Sequence, residues 1–287
     1  MERRDFLQTV SLAAAGLYVN GLLPSPLNVR TPLGVQLYSV RDAVAKDLEA
    51  TLERLANMGY ASLELYGYDG SFFGHTAADF KKMLRNTGLT VISSHHNTGI
   101  ASAVDGTLNK GWDKAIEDLH AIGSRYMVCA YLFPNERTPA IYKTLPKLLE
   151  TSGKSVKAAG MQFAYHNHDF EFEKAGALPL YNFLLDNTTP ELVAMELDLY
   201  WISKAGYDPL DYFKKYPGRF PLWHVKDMEA GTKDITEIGK GTIDFDRIFA
   251  ARKQAGLQHW FVEQDVSKGD IFTSLRISRD YVMQKGY

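Results

Sequence analysis

A chain of 287 residues, 45% of them hydrophobic, can bury a substantial core, and α/β barrels routinely fill such a length as one domain. Lysine plus arginine number 32 against 34 aspartates and glutamates, a formal charge of -2, which excludes the basic footprint that nucleic acid or an anionic membrane would require. The single cysteine, Cys129, excludes an internal disulfide and a thiolate metal site; in the apolar run Tyr126-Met127-Val128-Cys129-Ala130 it reads as a small buried hydrophobe.

At the N-terminus Arg3-Arg4-Asp5-Phe6-Leu7-Gln8 precedes an apolar, small-residue stretch from Thr9 to Leu23, which Pro24-Ser25-Pro26 ends. The stretch is too short for a comfortable membrane span. A charged start, an apolar centre and a polar exit describe a signal peptide. The paired arginines followed by Phe-Leu resemble the twin-arginine export signal. Residues 1–28 are therefore expected to be a signal peptide, giving a periplasmic protein with no stable membrane anchor; an amphipathic first helix packed on the domain is the alternative. Residues 29–287 are the expected domain.

Beyond Thr31 short β-branched or aromatic runs alternate with longer segments of helical period, joined through Gly, Asn, Asp or Pro. The predicted strands are Gly34–Tyr38, Ser62–Leu65, Thr90–His95, Arg125–Tyr131, Gln162–His166, Val193–Asp198, Leu222–Lys226 and His259–Glu263. Helices are predicted over Leu48–Met58, Ala77–Asn86, Gly111–Ile122, Ala140–Ala159, Pro209–Tyr216 and Phe245–Ala255. Several end in glycine, as in Asn86-Thr87-Gly88, where a left-handed C-cap favours it. Strict alternation implies a parallel sheet buried on both faces. Eight units close into a (β/α)₈ TIM barrel of one domain, with an open doubly wound sheet as the alternative. The first strand runs into Gln36-Leu37-Tyr38-Ser39-Val40-Arg41-Asp42 rather than a glycine-rich phosphate loop, which favours the barrel.

Polar or ionisable residues stand at the C-terminal end of nearly every predicted strand: Gln36, Tyr38 and Arg41, then Glu64, His95 and His96, Tyr131, His166 and His168, Asp198, His224 with Lys226, and Glu263. In a barrel these converge on the face that carries active sites. Asp198, His224 and Glu263 offer two carboxylates and an imidazole from three successive strands, a set suited to Mn, Zn, Co or Mg. Singly, each could be a buried salt bridge or a capped strand end. The aromatics Tyr68, Phe72 and Phe73 sit in a Gly-flanked loop and suit either a pocket wall or an interface in a homo-oligomer, which is left open.

From about Gly34 to the C-terminus the chain resembles the xylose-isomerase-like barrels of the sugar phosphate isomerase/epimerase superfamily. The resemblance rests on Gly34-Val35-Gln36-Leu37-Tyr38-Ser39, Ala164-Tyr165-His166-Asn167-His168-Asp169-Phe170-Glu171-Phe172, Glu196-Leu197-Asp198, His224-Val225-Lys226-Asp227, Gly239-Lys240-Gly241-Thr242-Ile243-Asp244-Phe245 and Val262-Glu263. It implies one divalent metal ion on Asp198, His224 and Glu263, with a fourth ligand from the mid-chain strand. There the family often has Glu-Asn-His, and this sequence has His166-Asn167-His168. His168 is taken as the metal ligand and His166 as the base, the exchanged roles being the alternative, and Glu171 is a further candidate. A second departure puts Trp201 where a histidine is common; it can stack on a sugar but cannot carry protons.

The implied chemistry is abstraction of a proton beside a carbonyl through an enediolate. Lys226 would stabilise the developing charge or pair with Asp227. Glu263 is an alternative proton acceptor, and Gln36, Tyr38, Glu64, His96, Trp201 and Glu171 would bind substrate. The expected enzyme is a metal-dependent isomerase or epimerase of a non-phosphorylated keto-sugar. A lyase acting on an inosose or 3-keto-glycoside is the first alternative; an abasic-site endonuclease and a non-catalytic sugar-binding barrel are the others.

Overall fold

Nearly every residue of the apolar runs is buried, as a parallel sheet demands when helices jacket it. The computed structural model describes residues 32–173 and 179–287; the expected signal peptide at 1–28 lies outside the described residues. Strands β1 (Gly34–Gln36), β2 (Ser62–Leu65), β3 (Thr90–Asn97), β4 (Tyr126–Tyr131), β5 (Gln162–His166), β6 (Ala194–Asp198), β7 (Leu222–Val225) and β8 (His259–Val262) pair in parallel and close in the order β1-β8-β7-β6-β5-β4-β3-β2. The architecture is the expected TIM barrel in one domain. Around it lie α1 (Arg41–Lys46), α2 (Leu48–Asn57), α3 (Ala77–Thr87), α4 (Trp112–Ile122), α5 (Pro139–Ala158), α6 (Leu180–Asn187), α7 (Leu199–Lys204), α8 (Pro209–Lys215), α9 (Phe245–Ala250), α10 (Arg252–Ala255) and α11 (Ile271–Lys285). The single helix expected over Phe245–Ala255 is two, divided at Ala251, which leaves helical geometry at φ -89 and ψ 4.

Inside the barrel Ile92, Val128, Ala164, Ala194, Leu222 and Phe261 form an apolar floor. Gly34 makes room for it: a Cβ there would lie 2.6 Å from the Phe261 ring and 2.5 Å from the Trp260 carbonyl. Above this floor period two carries the inward face from Ala164 to His166, from Ala194 to Glu196 and Asp198, and from Leu222 to His224. Strand β3 breaks the alternation. Leu63 pairs with Val91 but Glu64 with Ser93, so Ile92 is an extra residue. This β-bulge re-aims the later side chains of the strand: Ile92 faces the floor, Ser93 reaches Glu64, and His95 turns inward rather than His96.

After β7, Asp227–Met228 pairs antiparallel with Ile235–Thr236. The Asp227 carboxylate accepts from the amides of Met228, Gly239, Gly241 and Ile243 at 2.8–3.1 Å. Gly241 packs so closely on that carboxylate that a Cβ would strike it. Asp227 thus ties down the Gly239-Lys240-Gly241 loop and is no partner for Lys226.

Candidate active site

The strand ends surround a cavity of about 640 Å³, on the face where barrel enzymes carry their sites. Asp198, His224 and Glu263 come from the ends of neighbouring strands β6, β7 and β8, and their ligand-capable atoms lie within 4.8 Å of one another. Glu263 Oε2 is 2.7 Å from His224 Nδ1. The Asp198 carboxylate is pinned on one side only. Its Oδ1 accepts from the Trp201 amide at 2.8 Å as α7 begins, and its own amide donates to Asn167 Oδ1 at 3.0 Å. Its Oδ2 is buried without an aligned hydrogen bond, although Lys226 Nζ stands 3.0 Å away. That oxygen lies 3.9 Å from both His166 Nε2 and His224 Nδ1.

Lys226 is 1% exposed and reaches Glu263 at 2.6 Å and Asp265 at 2.8 Å as well as Asp198. Burial opposes its charge, yet Asp198, Asp265 and Glu263 hold its pKa well above the usual lysine value. Burial raises the Asp198 carboxyl to about 6, partly offset by Lys226. Burial would also raise Glu263, but Lys226 and His224 pull it well below the ordinary carboxylate range.

Beneath lies a second layer. Glu64 and Glu196 are both wholly buried and share three imidazoles. His95 Nε2 is 3.0 Å from Glu64 and 2.7 Å from Glu196. His224 Nε2 contacts Glu64 closely and lies 3.3 Å from Glu196, and His166 Nδ1 is 3.0 Å from Glu196. Gln36 Nε2 donates to Glu64 at 2.7 Å while its Oε1 accepts from the Tyr38 amide at 3.0 Å. Four buried carboxylates, Glu64, Glu196, Asp198 and Glu263, thus crowd the strand ends with Lys226 as the fixed cation among them. Burial opposes charge on His95 and His224 too, but the carboxylates outweigh it, holding His95 at about 9 and His224 well above the usual imidazole value. Buried carboxylates are costly unless paired. A divalent cation beside Asp198 Oδ2, which has Lys226 at 3.0 Å but no aligned hydrogen bond, would take over the pairing from those imidazole protons. Two carboxylates with imidazole nitrogens are donors that Mn, Zn, Co or Mg accept. The residues fit the group.

Of the residues singled out in the sequence, Tyr38, Arg41, His95, Tyr131, His166, His168, Trp201, Lys226 and Glu263 line the cavity, and Asp198 and His224 are wholly buried at its base. Gln36 and Glu64 lie below it and act on neighbouring side chains instead of facing substrate. His96 is turned away: its Nδ1 meets the Gly106 carbonyl at 2.7 Å and its ring stands edge-on to Trp112. Glu171 is buried, accepting from the Tyr165 hydroxyl at 2.9 Å and the His168 amide at 2.7 Å, so it holds the His168 backbone rather than a sugar. His168 belongs to neither set of converging ligand atoms, that of Asp198, His224 and Glu263 or that of His95, His166, Glu196 and His224; its ring lies between those of Tyr131 and Trp201, and burial followed by Lys226 lowers its pKa to about 3. His166 is also held well below the usual imidazole value, by burial and then by His224. Tyr68 and Phe72 are buried against α3 and Asp118, which removes them from any interface.

Two residues of the site, Glu196 and Asp265, were given no role in the sequence, and His95, named there among the strand ends, was passed over for His96 because of the bulge. Glu196 stands two before Asp198, and the period alone puts it on the same face. Asp265 follows β8 in a loop, where periodicity says nothing.

Residues 52–270 match the family described as Xylose isomerase-like TIM barrel. An inosose dehydratase of Bacillus cereus (strain AH820) is 25% identical over 270 residues, covering 78% of this chain and 88% of that protein. A solved structure of a sugar phosphate isomerase/epimerase from Parabacteroides distasonis ATCC 8503 matches with a TM-score of 0.77 at 27% identity, covering 88% of this chain and 98% of that one. The structure of IOLI protein with a bound zinc atom shares the fold, with a TM-score of 0.71 at 15% identity over 89% of this chain and 99% of that one.

Proposed function

The chain belongs to the xylose isomerase-like TIM barrel family, and we propose that it removes the proton beside the carbonyl of a non-phosphorylated keto-sugar or keto-cyclitol with the aid of one divalent cation. The observation that carries this reading is the convergence of ligand-capable atoms of Asp198, His224 and Glu263 within 4.8 Å of one another at the strand ends. His166, Asp198, His224 and Glu263 would hold the cation, His166 taking the place expected for His168. When bound, such a cation is a Lewis acid that polarises a carbonyl and acidifies the adjacent C–H.

The protein's own groups supply the rest. His168 lines the cavity and would be the proton acceptor, whereas both nitrogens of His166 face carboxylates. Lys226, beside Glu263 and Asp198, places positive charge where the substrate oxygen becomes anionic. Trp201, Tyr131 and Tyr38 line the cavity with aromatic surface of the kind on which the C–H faces of a sugar ring pack.

Two features speak for an uncharged substrate. Arg41 and Lys226, the fixed cations lining the cavity among the described residues, are already engaged. Arg41 donates to the Tyr38 and Asp265 carbonyls at 3.0 Å each, and Lys226 is held by three carboxylates. Export through residues 1–28, part of the same proposal, would take the enzyme away from phosphorylated sugars. Among the described residues no helix is long and apolar enough to cross a membrane.

Loss of a β-hydroxyl or glycosidic oxygen after proton removal, the lyase outcome, is favoured by the likeness to inosose dehydratases. The likeness to sugar phosphate isomerase/epimerases supports return of the proton instead. Proton NMR in heavy water decides both points. Ketoses, inososes and 3-keto-glycosides are incubated with the enzyme, with added Mn²⁺ or with chelator. Deuterium at the carbon beside the carbonyl, lost on chelation, is expected, and the product separates lyase from isomerase. Absence of exchange on every substrate would refute the reading.

A further inference from the structure

His166 stands between two carboxylates of the neighbouring strand, one at each ring nitrogen. Register pairs His166 with Glu196, and Glu196 and Asp198, two apart, share a face of β6. The two contacts are unequal. Nδ1 is 3.0 Å from Glu196 Oε2, within hydrogen-bond reach, whereas Nε2 is 3.9 Å from Asp198 Oδ2, beyond it. A carboxylate oxygen accepts, so the ring hydrogen belongs on Nδ1 and the lone pair on Nε2. That nitrogen is the one on the side of Asp198 Oδ2, 3.9 Å away, an oxygen with no aligned hydrogen bond.

On the reading that a cation sits at Asp198, His224 and Glu263, we propose that Glu196 is a positioning residue that selects the Nδ1–H form of His166 and so presents Nε2 to the cation as the fourth donor. Glu196 converges with His95, His166 and His224 and lies outside the Asp198, His224, Glu263 set, so on this assignment it acts through those imidazoles. Its Oε2 is fixed by His95 Nε2 at 2.7 Å as well as by His166. Without it the imidazole is free to rotate or to place its hydrogen on Nε2, where it cannot ligate. Carboxylates that orient a ligating histidine in this way govern metal affinity about 10–100-fold.

The test uses the full chain stripped of metal and titrated with Co²⁺, followed by visible absorption and by competition with a chromophoric chelator. Glu196→Ala is expected to weaken binding about 10–100-fold and to shift the absorption band, while Glu196→Gln, whose amide oxygen still accepts from Nδ1, retains most of the affinity. In a His166→Ala background the Glu196→Ala change should cost much less: of its contacts to the proposed ligands, only the longer one to His224, at 3.3 Å, is left to lose. Equal loss in both backgrounds, or binding within about twofold of the parent, overturns the assignment. Nitrogen-15 NMR of the metal-free parent gives a reading that needs no Glu196 variant to fold: His166, identified by its loss in His166→Ala, should show the Nδ1–H form, and any other form overturns the proposal. A parent that binds no Co²⁺ overturns the metal reading itself; a parent that binds and a Glu196→Ala chain that binds equally overturn this inference alone.

Discussion

Lys226→Met keeps the apolar stem and deletes an ammonium that is 1% exposed and lies 2.6, 2.8 and 3.0 Å from Glu263, Asp265 and Asp198. Breaking a buried ion pair from one side costs about 3–5 kcal/mol, because the partner charge stays behind in low dielectric. At about 2 °C per kcal/mol for a domain of this size, the metal-free variant should melt roughly 6–10 °C below the parent. A divalent cation would return positive charge to the same carboxylates, so saturating Mn²⁺ should narrow the gap. Calorimetric melts of both proteins, metal-free and with Mn²⁺, measure this directly. Turnover should fall about 10²–10³-fold even with Mn²⁺, since a positive group aimed at the developing oxyanion is gone. A metal-free variant melting within about 2 °C of the parent would refute the view that the three carboxylates depend on Lys226.

Trp201→Ala should raise KM about tenfold, an interaction of about 1.4 kcal/mol, with kcat little changed. It is the Trp201 backbone amide that holds Asp198, and steady-state kinetics separate the two constants. His96→Gln should leave KM and kcat within about twofold of the parent, since the ring faces Gly106 and Trp112 and makes no transition-state contact to lose. Burial raises Glu171 to about 8, so the folded state binds its proton more tightly than the unfolded chain. Stability from this group is then full below the ordinary carboxylate pKa and is lost as pH rises from about 4.5 to about 8. Glu171→Gln should flatten that slope in melts taken across the window, and an unchanged slope would refute it.

Strand positions were legible because a barrel buries its strands on both faces, leaving continuous apolar runs between turn residues. The clustering of Asp198, His224 and Glu263 was legible for the complementary reason: they are charged or polar groups that end such runs. What escaped is what period two cannot see. The extra residue Ile92 exchanges the faces of His95 and His96, and a bulge leaves no mark in residue type. Glu171 follows β5 in a short 3-10 turn that folds its carboxylate back onto the His168 amide, so proximity in sequence to the histidines misleads. The choice between His166 and His168 depends on which ring lies nearest Asp198, a matter of β5–β6 register rather than composition. Helices α1 and α7 span six residues each, fewer than two turns and too short for a helical period to stand out.

The central claim is tested most directly by metal content. The parent, loaded with Mn²⁺ and dialysed, should retain one ion per chain by elemental analysis, and an Asp198→Ala, His224→Ala double variant of unchanged circular dichroism should retain none. An ion kept by that variant, or a parent that keeps none, would contradict the account.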